Sequence, residues 1–306
     1  MPITKKVAVA GITGALGRFF VDEFLKCSSK LSVTVLTRKE GEESTRSRLA
    51  EHPQFTIRGV DYKSDDDLAD ALADHTAVLS IVGHGGISDQ LRLISAAEKA
   101  KVEYFLPSEF GADFDKPANK QAVALYAPKR VVRRALEASA LKYTYIVTGC
   151  FADWFLMPMY KWDLVNHTVE IPGDGTITSS FTSRQDIARY TVAVLCRLGE
   201  FDNQTVRIAS HTLSFNDWVG LVEKVSDRKF TVTYVPPEPI EEMIAEDVKK
   251  TGGWVTLRDR LRLLIANGHT RSDWGEFVLD NSRFPEVEPV PIEQVISQAL
   301  SAAAAK

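Results

Sequence analysis

The chain has 306 residues and a formal net charge of −4, with 44% hydrophobic and 25% charged residues. This length can bury a full-size core, in one large domain or two modest ones, and the composition is that of an ordinary globular protein. Charges of both signs are mixed along the chain. Because nucleic-acid binding requires a concentrated basic patch, we expect no nucleic-acid partner.

The sequence also argues against a membrane or metal-binding protein. No stretch approaches the roughly 18 apolar residues that a membrane span requires, and no secretory signal is visible. Cys27, Cys150 and Cys196 are widely scattered, as expected of reduced thiols in the cytosol. The six histidines show no metal-ligand spacing. We therefore expect a cytoplasmic protein with no membrane span and no metal site.

A glycine-rich loop follows the first apolar run, residues 7–10, and leads into apolar residues at helical spacing. Strand, glycine turn and helix form the context in which backbone N–H groups bind a dinucleotide pyrophosphate at a helix amino end. A purely structural turn is the alternative. The residues expected to bind the cofactor here are Gly11, Thr13, Gly14, Ala15, Leu16 and Gly17.

The end of the second predicted strand indicates which dinucleotide binds. NAD-binding proteins usually carry an acidic residue about 20 positions beyond the glycines, where it would repel a 2′-phosphate. This chain instead has Arg38 and Lys39, about 21 residues beyond Gly17. The two cations favour NADPH as the cofactor.

Strand and helix patterns alternate through the first half of the chain. This rhythm predicts an α/β fold with a doubly wound parallel Rossmann sheet, whose ligands bind at the carboxyl edge of the strands. The predicted strands are 7–10, 31–36, 55–60, 77–82, 103–106 and 143–147, and the predicted helices are 17–27, 65–74, 88–100 and 128–139.

Beyond Phe151 the alternation ends in a run rich in aromatic residues and methionine, and 172–175 predicts a hairpin turn. We expect an NADP(H)-binding Rossmann domain over 1–152 and a smaller C-terminal α+β substrate domain over 153–306. The helix predicted at 184–199 could return to the first domain. Further predicted helices are 215–226, 240–250 and 257–267, and further predicted strands are 204–209 and 230–235, with 236–239 as a rigid connector.

Two loops at the predicted ligand edge carry candidate residues. Gly83 and His84 follow the fourth strand, where glycine would let a flat nicotinamide ring approach the backbone; an ordinary flexible loop is the alternative. Ser108 and Glu109 follow the fifth strand. We favour Glu109 as a structural anchor that accepts hydrogen bonds from backbone donors.

Lys129 lies on an otherwise apolar helical stripe. Pro128 is typical of a first helical turn, so the helix amino end and partial burial should both lower the pKa of this lysine. Such a lysine can act as a general acid or base, whereas a lysine with a packed stem and a solvated amine is the alternative. Nearby Arg130, Arg133 and Arg134 are interpreted as a solvated helix face.

Taken together, these residues resemble the isoflavone reductase-like branch of the atypical short-chain dehydrogenases, which is related to the NmrA-like proteins. The matching stretches are 11–17, Arg38, 89–90, 105–111 and 129–137. The likeness covers the Rossmann half closely and the C-terminal half loosely.

The resemblance implies an NADPH-dependent reductase of phenylpropanoid, isoflavonoid or similar aromatic metabolites, with Lys129 as the catalytic residue. We expect Phe151 near the nicotinamide. Substrate contacts are expected from Gly85, Phe110, Tyr126 and Trp154. The alternative function is a non-catalytic NADP(H) sensor that binds a protein partner, as some NmrA-like relatives do; a catalytic lysine favours the enzyme. A homodimer is the assembly that we consider.

Overall fold

The computed structural model of the chain describes residues 4–114, 120–252 and 255–304, and for 120–125 only the backbone. The strands in these ranges are β1 (Lys5–Ala10), β2 (Leu31–Arg38), β3 (Thr56–Val60), β4 (Ala77–Ser80), β5 (Tyr104–Leu106), β6 (Lys142–Val147), β7 (Cys150–Phe151), β8 (Trp162–Asp163), β9 (Thr168–Pro172), β10 (Thr178–Thr182), β11 (Gln204–Arg207), β12 (His211–Ser214) and β13 (Thr231–Val235). The α-helices are α1 (Gly17–Lys26), α2 (Glu42–Arg48), α3 (Asp65–Leu72), α4 (Asp89–Lys99), α5 (Lys120–Glu137), α6 (Ala152–Phe155), α7 (Arg184–Cys196), α8 (Phe215–Ser226), α9 (Pro237–Thr251), α10 (Leu257–Ala266) and α11 (Ile292–Ala304).

Seven strands form one sheet in the order β11-β6-β5-β4-β1-β2-β3. The pairs β1–β2, β2–β3, β1–β4, β4–β5 and β5–β6 are all parallel. The strand order therefore reverses direction between β1 and β4, which is the switch point where doubly wound sheets bind ligands. The predicted Rossmann fold is confirmed.

The core of this sheet follows from its apolar strands. Val7, Ala8, Val9 and Ala10 of β1 are fully buried, as expected of a central strand that is covered on both faces. Leucine and alanine side chains from α3 and α4 pack against the same core. A rigid central strand fixes where the loop after β1 begins.

The chain divides into two compact units. The first contains residues 1–109, 126–146 and 188–206, and the second contains 110–125, 147–187 and 207–306. The second unit has α+β character, with three-stranded sheets β12-β10-β7 and β13-β9-β8. Its core is aromatic: the Phe155 ring centroid lies 4.8 Å from that of Phe181 and 5.0 Å from that of Trp218.

Some predicted elements are wrong. Residues 172–175 do not close a hairpin, because β9 and β10 belong to different sheets; β9 instead pairs antiparallel with β8. The connector 236–239 mostly lies inside α9, which begins at Pro237. The first turn of a helix tolerates proline, because the N–H that proline lacks would have no intrahelical partner there.

Helices α2 and α11 were not predicted. Helix α2 is polar throughout and lacks the apolar stripe that identifies a helix in sequence. The contacts that hold it come from the sheet, where Gly59 donates its N–H to the Glu42 carboxylate at 3.1 Å. Over the ranges that the structure describes, no helix is long and apolar enough to span a membrane, and no cluster of His, Cys, Asp or Glu could hold a metal ion.

Candidate functional site

The carboxyl ends of four neighbouring strands bring the predicted site loops to one edge of the sheet. Ala10 of β1 pairs with Leu36 on one side and with Ser80 on the other, and Leu79 pairs with Leu106. The loops that follow β1, β2, β4 and β5 therefore leave the sheet side by side. This is the edge at which parallel α/β sheets bind ligands.

Two glycines of the first loop are required by the backbone itself. Gly11 has φ +96°, and a Cβ there would lie 2.7 Å from the Ile81 carbonyl oxygen. A Cβ on Gly17 would lie 2.1 Å from the Ile12 carbonyl oxygen. The first glycine thus permits a tight turn against the end of β4, and the last permits α1 to pack on its own loop.

The amino end of α1 is suited to an anion. The preceding residue, Leu16, makes no side-chain cap, and the first turn of the helix contains no acidic residue. Thr13, Gly14 and Ala15 are exposed, whereas Leu16 and Gly17 are buried. The first N–H groups of a helix have no intrahelical partner, so this loop fits the pyrophosphate of a dinucleotide.

The loop after β4 leaves open space. Gly83, His84 and Gly85 are exposed, and a Cβ on Gly83 or Gly85 would meet no atom within 4 Å. Gly83 has φ −71°, which any residue can adopt. The packing of the protein therefore does not require these two glycines, and the space fits the close approach of a planar ring.

Gly11, which the backbone requires, and Gly83, which faces open space, should respond differently to substitution by alanine. Gly11→Ala should lower stability by about 1–3 kcal/mol through backbone strain alone. Gly83→Ala should change stability by less than about 0.5 kcal/mol but weaken NADPH binding about tenfold, because its methyl group occupies space left for the ring. Thermal melting and equilibrium binding of NADPH test both. Unchanged NADPH affinity in Gly83→Ala would remove that loop from the cofactor site.

Three cations stand at the end of β2 or follow it in the chain, and each lies in a different setting. Arg38 is exposed at the end of β2, while the Lys39 ammonium lies 2.7 Å from the Asp67 carboxylate. Arg48, at the carboxyl end of α2, donates to the Thr13 carbonyl oxygen at 3.4 Å. Arg48 was missed because α2 itself was not predicted; the available signal was the pair Arg46 and Arg48, eight and ten residues beyond Arg38.

Lys129 lies inside α5 rather than at its amino end. The helix begins at Lys120 and contains Pro128 in its interior, so the expected contribution of the helix amino end is wrong. Burial lowers the pKa of Lys129, the nearby Glu109 charge opposes this effect, and Arg133 adds to it. The ammonium donates to the backbone oxygen of Glu109, which places it directly after β5 at the ligand edge.

Glu109 anchors β5 to α5 through a buried ion pair. Its carboxylate accepts from Arg133 at 2.7 Å, with 1% and 2% of the two side chains exposed. Arg133 also lies over the Tyr145 ring, 4.3 Å from its centroid. The interpretation of Arg133 as solvated is therefore wrong, and the partner that the structure gives the Glu109 carboxylate is a guanidinium rather than a backbone donor.

A buried amide joins the ends of β4 and β5. The Gln90 side chain accepts from the Ser108 N–H at 2.8 Å, and the Ser108 hydroxyl donates to the Val82 carbonyl oxygen at 2.8 Å. Gln90 is 1% exposed. The hydrogen bonds of Gln90 and Ser108 together fix the loop that begins at Gly83 relative to the loop that contains Glu109.

The predicted substrate residues divide between the units. Gly85 and Tyr126 belong to the first unit, whereas Phe110, Phe151 and Trp154 belong to the second. Phe110 is buried, and Tyr126 is half-buried three positions before Lys129 on α5.

In the second unit, Phe151 and Trp154 form a half-buried aromatic pair whose ring centroids lie 5.3 Å apart. Arg184 lies 4.9 Å from the Trp154 ring and is held at 2.6 Å by Asp153. The rest of the aromatic run is mainly core: Phe155 and Trp162 are at most 1% exposed.

This chain is similar to NmrA-like proteins over most of its length. The family model described as the NmrA-like family matches residues 3–253. A phenylcoumaran benzylic ether reductase of Nicotiana tabacum is 32% identical over 254 residues, 80% of each chain. Eugenol synthase 1 of Petunia hybrida is 29% identical over 95% of this chain and 97% of its own.

Solved structures share the fold over nearly the full length. A crystal structure of isoflavone reductase has a TM-score of 0.81 and 24% identity, covering 97% of this chain and 99% of that chain. The binary complex of leucoanthocyanidin reductase with NADPH from Vitis vinifera has a TM-score of 0.81 and 22% identity, with the same coverage. From the family match and the relatives that align over most of its length, this chain belongs to the NmrA-like family, in its isoflavone reductase-like branch.

Proposed function

We propose that the protein is an NADPH-dependent reductase of small aromatic metabolites of the phenylpropanoid type, with Lys129 as its proton-transferring residue. The observation that carries this proposal is the Lys129 amine, held at the backbone of Glu109 directly after β5 with a lowered pKa. Relatives named phenylcoumaran benzylic ether reductase and eugenol synthase support the substrate class.

The residues of the first unit fit a bound NADPH. The loop from Gly11 to Gly17 would hold the pyrophosphate, and Arg38 with Arg48 would bind the 2′-phosphate. The open space at Gly83 and His84 would accept the nicotinamide ring. NADPH, when bound, supplies a hydride. The protein then has to orient the substrate and manage one proton.

Lys129 meets the requirements for that proton. Reduction of a carbon centre by hydride leaves negative charge on the substrate, and an ammonium can neutralise that charge by donating a proton. Burial brings the pKa of Lys129 below its ordinary value, which makes proton donation easier. Gly85 and Tyr126 of the first unit are the residues that we assign to the substrate side, and Phe110 and Trp154 of the second unit stay predictions from the sequence.

Arg38→Gln should remove the preference for NADPH over NADH. The guanidinium is the exposed cation at the end of β2, and loss of a charge-assisted hydrogen bond to a phosphate weakens binding about tenfold to a hundredfold. NADH affinity should stay unchanged, because NADH has no 2′-phosphate. Titration of both dinucleotides tests this, with Arg228→Gln, an exposed arginine between α8 and β13, as control. Equal losses for NADPH and NADH would contradict the role given to Arg38.

NADPH oxidation against phenylpropanoid, isoflavonoid and polyketide-type enones tests the proposed function as a whole. We expect turnover with at least one aromatic substrate, after dinucleotide binding has been confirmed by titration. Tight NADPH binding without turnover across the panel would instead favour the alternative function, an NADP(H) sensor that acts on a protein partner.

A further inference from the structure

An acidic residue lies beside the cations that follow β2. Asp67, in the first turn of α3, accepts from the Lys39 ammonium at 2.7 Å and from the backbone N–H of Asp61 at 2.9 Å. The Arg58 guanidinium lies 3.5 Å from its second oxygen. The hydrogen bond from Lys39 is the largest cause that lowers the pKa of Asp67. This carboxylate is therefore a charged centre shared by the ends of β2 and β3.

In this ion pair the carboxylate is the more buried partner and is also held by a backbone N–H, whereas the ammonium is on an exposed side chain. The Asp67 side chain is 16% exposed, and its backbone N–H is capped by the Ser64 hydroxyl at 3.2 Å. The Lys39 side chain is 62% exposed and directly follows Arg38 in the chain. Asp67 therefore determines where the Lys39 charge is held.

We propose that Asp67 is a specificity-determining residue that restrains NADPH affinity by holding Lys39 away from the 2′-phosphate. This inference rests on the proposed function, since it concerns the phosphate that Arg38 is assigned to bind. Asp67 itself touches no cofactor atom in this proposal; it acts through Lys39 and through its own charge.

Both effects of the carboxylate have the same sign. While the pair is formed, the Asp67 charge largely cancels the attraction of the Lys39 ammonium for a phosphate dianion next to Arg38, and it also holds that ammonium in place. An exposed ion pair contributes little free energy, so Lys39 can change partner at small cost once the carboxylate is removed. Removing the negative charge should therefore strengthen phosphate binding, and it leaves the contacts of NADH unchanged.

Asp67→Asn tests this proposal directly. The amide oxygen can still accept the Asp61 N–H, so the turn is retained. We expect the Kd of NADPH to fall roughly three- to tenfold and that of NADH to change less than twofold, with the gain shrinking at high salt. Asp66→Asn is the matched control: it makes the same charge change one residue earlier, where the carboxylate pairs with Lys99. This control should leave both Kd values unchanged.

Lys39→Met separates the two contributions without touching α3. In the otherwise native chain it should weaken NADPH binding only about twofold, through the Asp67 charge that it leaves unpaired. In the Asp67→Asn chain it should cancel most of the gain. An equal loss of NADPH affinity from Lys39→Met in the native and the Asp67→Asn chains would mean that Asp67 does not restrain Lys39, which would overturn the proposal.

The outcomes also distinguish this inference from the proposed function. If Asp67→Asn weakens NADPH binding or leaves it unchanged while Arg38→Gln still abolishes the NADPH preference, the inference on Asp67 fails alone. If the native chain binds neither dinucleotide, the proposed function fails with it.

Discussion

Lys129→Met should reduce NADPH-dependent turnover by about a hundred- to ten-thousand-fold, the usual contribution of a general acid or base. Methionine keeps the unbranched shape of the side chain and the helix propensity of the position. Only the donor to the Glu109 carbonyl and the transferable proton are lost. NADPH affinity should stay within a few-fold of the native value, which fluorescence titration measures beside steady-state rates.

The matched control is Arg134→Met, which removes an exposed cation from the same helix and should leave turnover unchanged. The pH profile adds a second readout. If Lys129 donates a proton, turnover is high below its pKa and falls as pH rises through that pKa, which burial brings below the ordinary lysine value. This alkaline limb should be absent from the residual activity of Lys129→Met. Native turnover in Lys129→Met would refute the mechanism.

Glu109→Ala should destabilise the protein by about 3–5 kcal/mol, because it leaves the Arg133 guanidinium buried without its carboxylate. The pair is 1–2% exposed, so the guanidinium that is left behind is shielded from bulk solvent. The same change releases the end of β5, whose backbone positions Lys129. Chemical unfolding measures the loss in free energy of unfolding.

Two further variants test whether the lost charge pairing is the cause. Glu137→Ala breaks the exposed Arg134–Glu137 pair on the same helix and should cost only about 0.5 kcal/mol. The double variant Glu109→Leu/Arg133→Met replaces both charges with apolar groups and should recover most of the stability. If Glu109→Ala costs as little as Glu137→Ala, the buried pair does not anchor α5.

The Rossmann half of the fold was predictable because its signals are local. Each buried strand is a short apolar run, and the glycines at 11 and 17 are required by backbone approach within the same loop and its neighbouring strand. Arg38 is the last residue of β2, so its position follows from where that strand ends. Loop, strand end and edge geometry therefore emerge from sequence spacing alone.

Features that depend on distant partners were not predictable. Arg133 looks like a surface residue until Glu109, 24 positions upstream, is placed against it. Helix α5 extends before Pro128, although an interior proline is costly, and Lys129 and Arg133 both bind Glu109 across tertiary contacts. Similarly, the pairing of Lys39 with Asp67 depends on how α3 follows β3.

Isotope labelling follows the hydride from NADPH to the product. NADPH deuterated at the transferable position of its nicotinamide ring is mixed with the protein and an aromatic substrate from the panel, and the product is examined by mass spectrometry. We expect one deuterium per product molecule, bound to carbon, and a much lower rate of its formation in Lys129→Met. Product without deuterium, or tight cofactor binding with no product from any substrate, would contradict it.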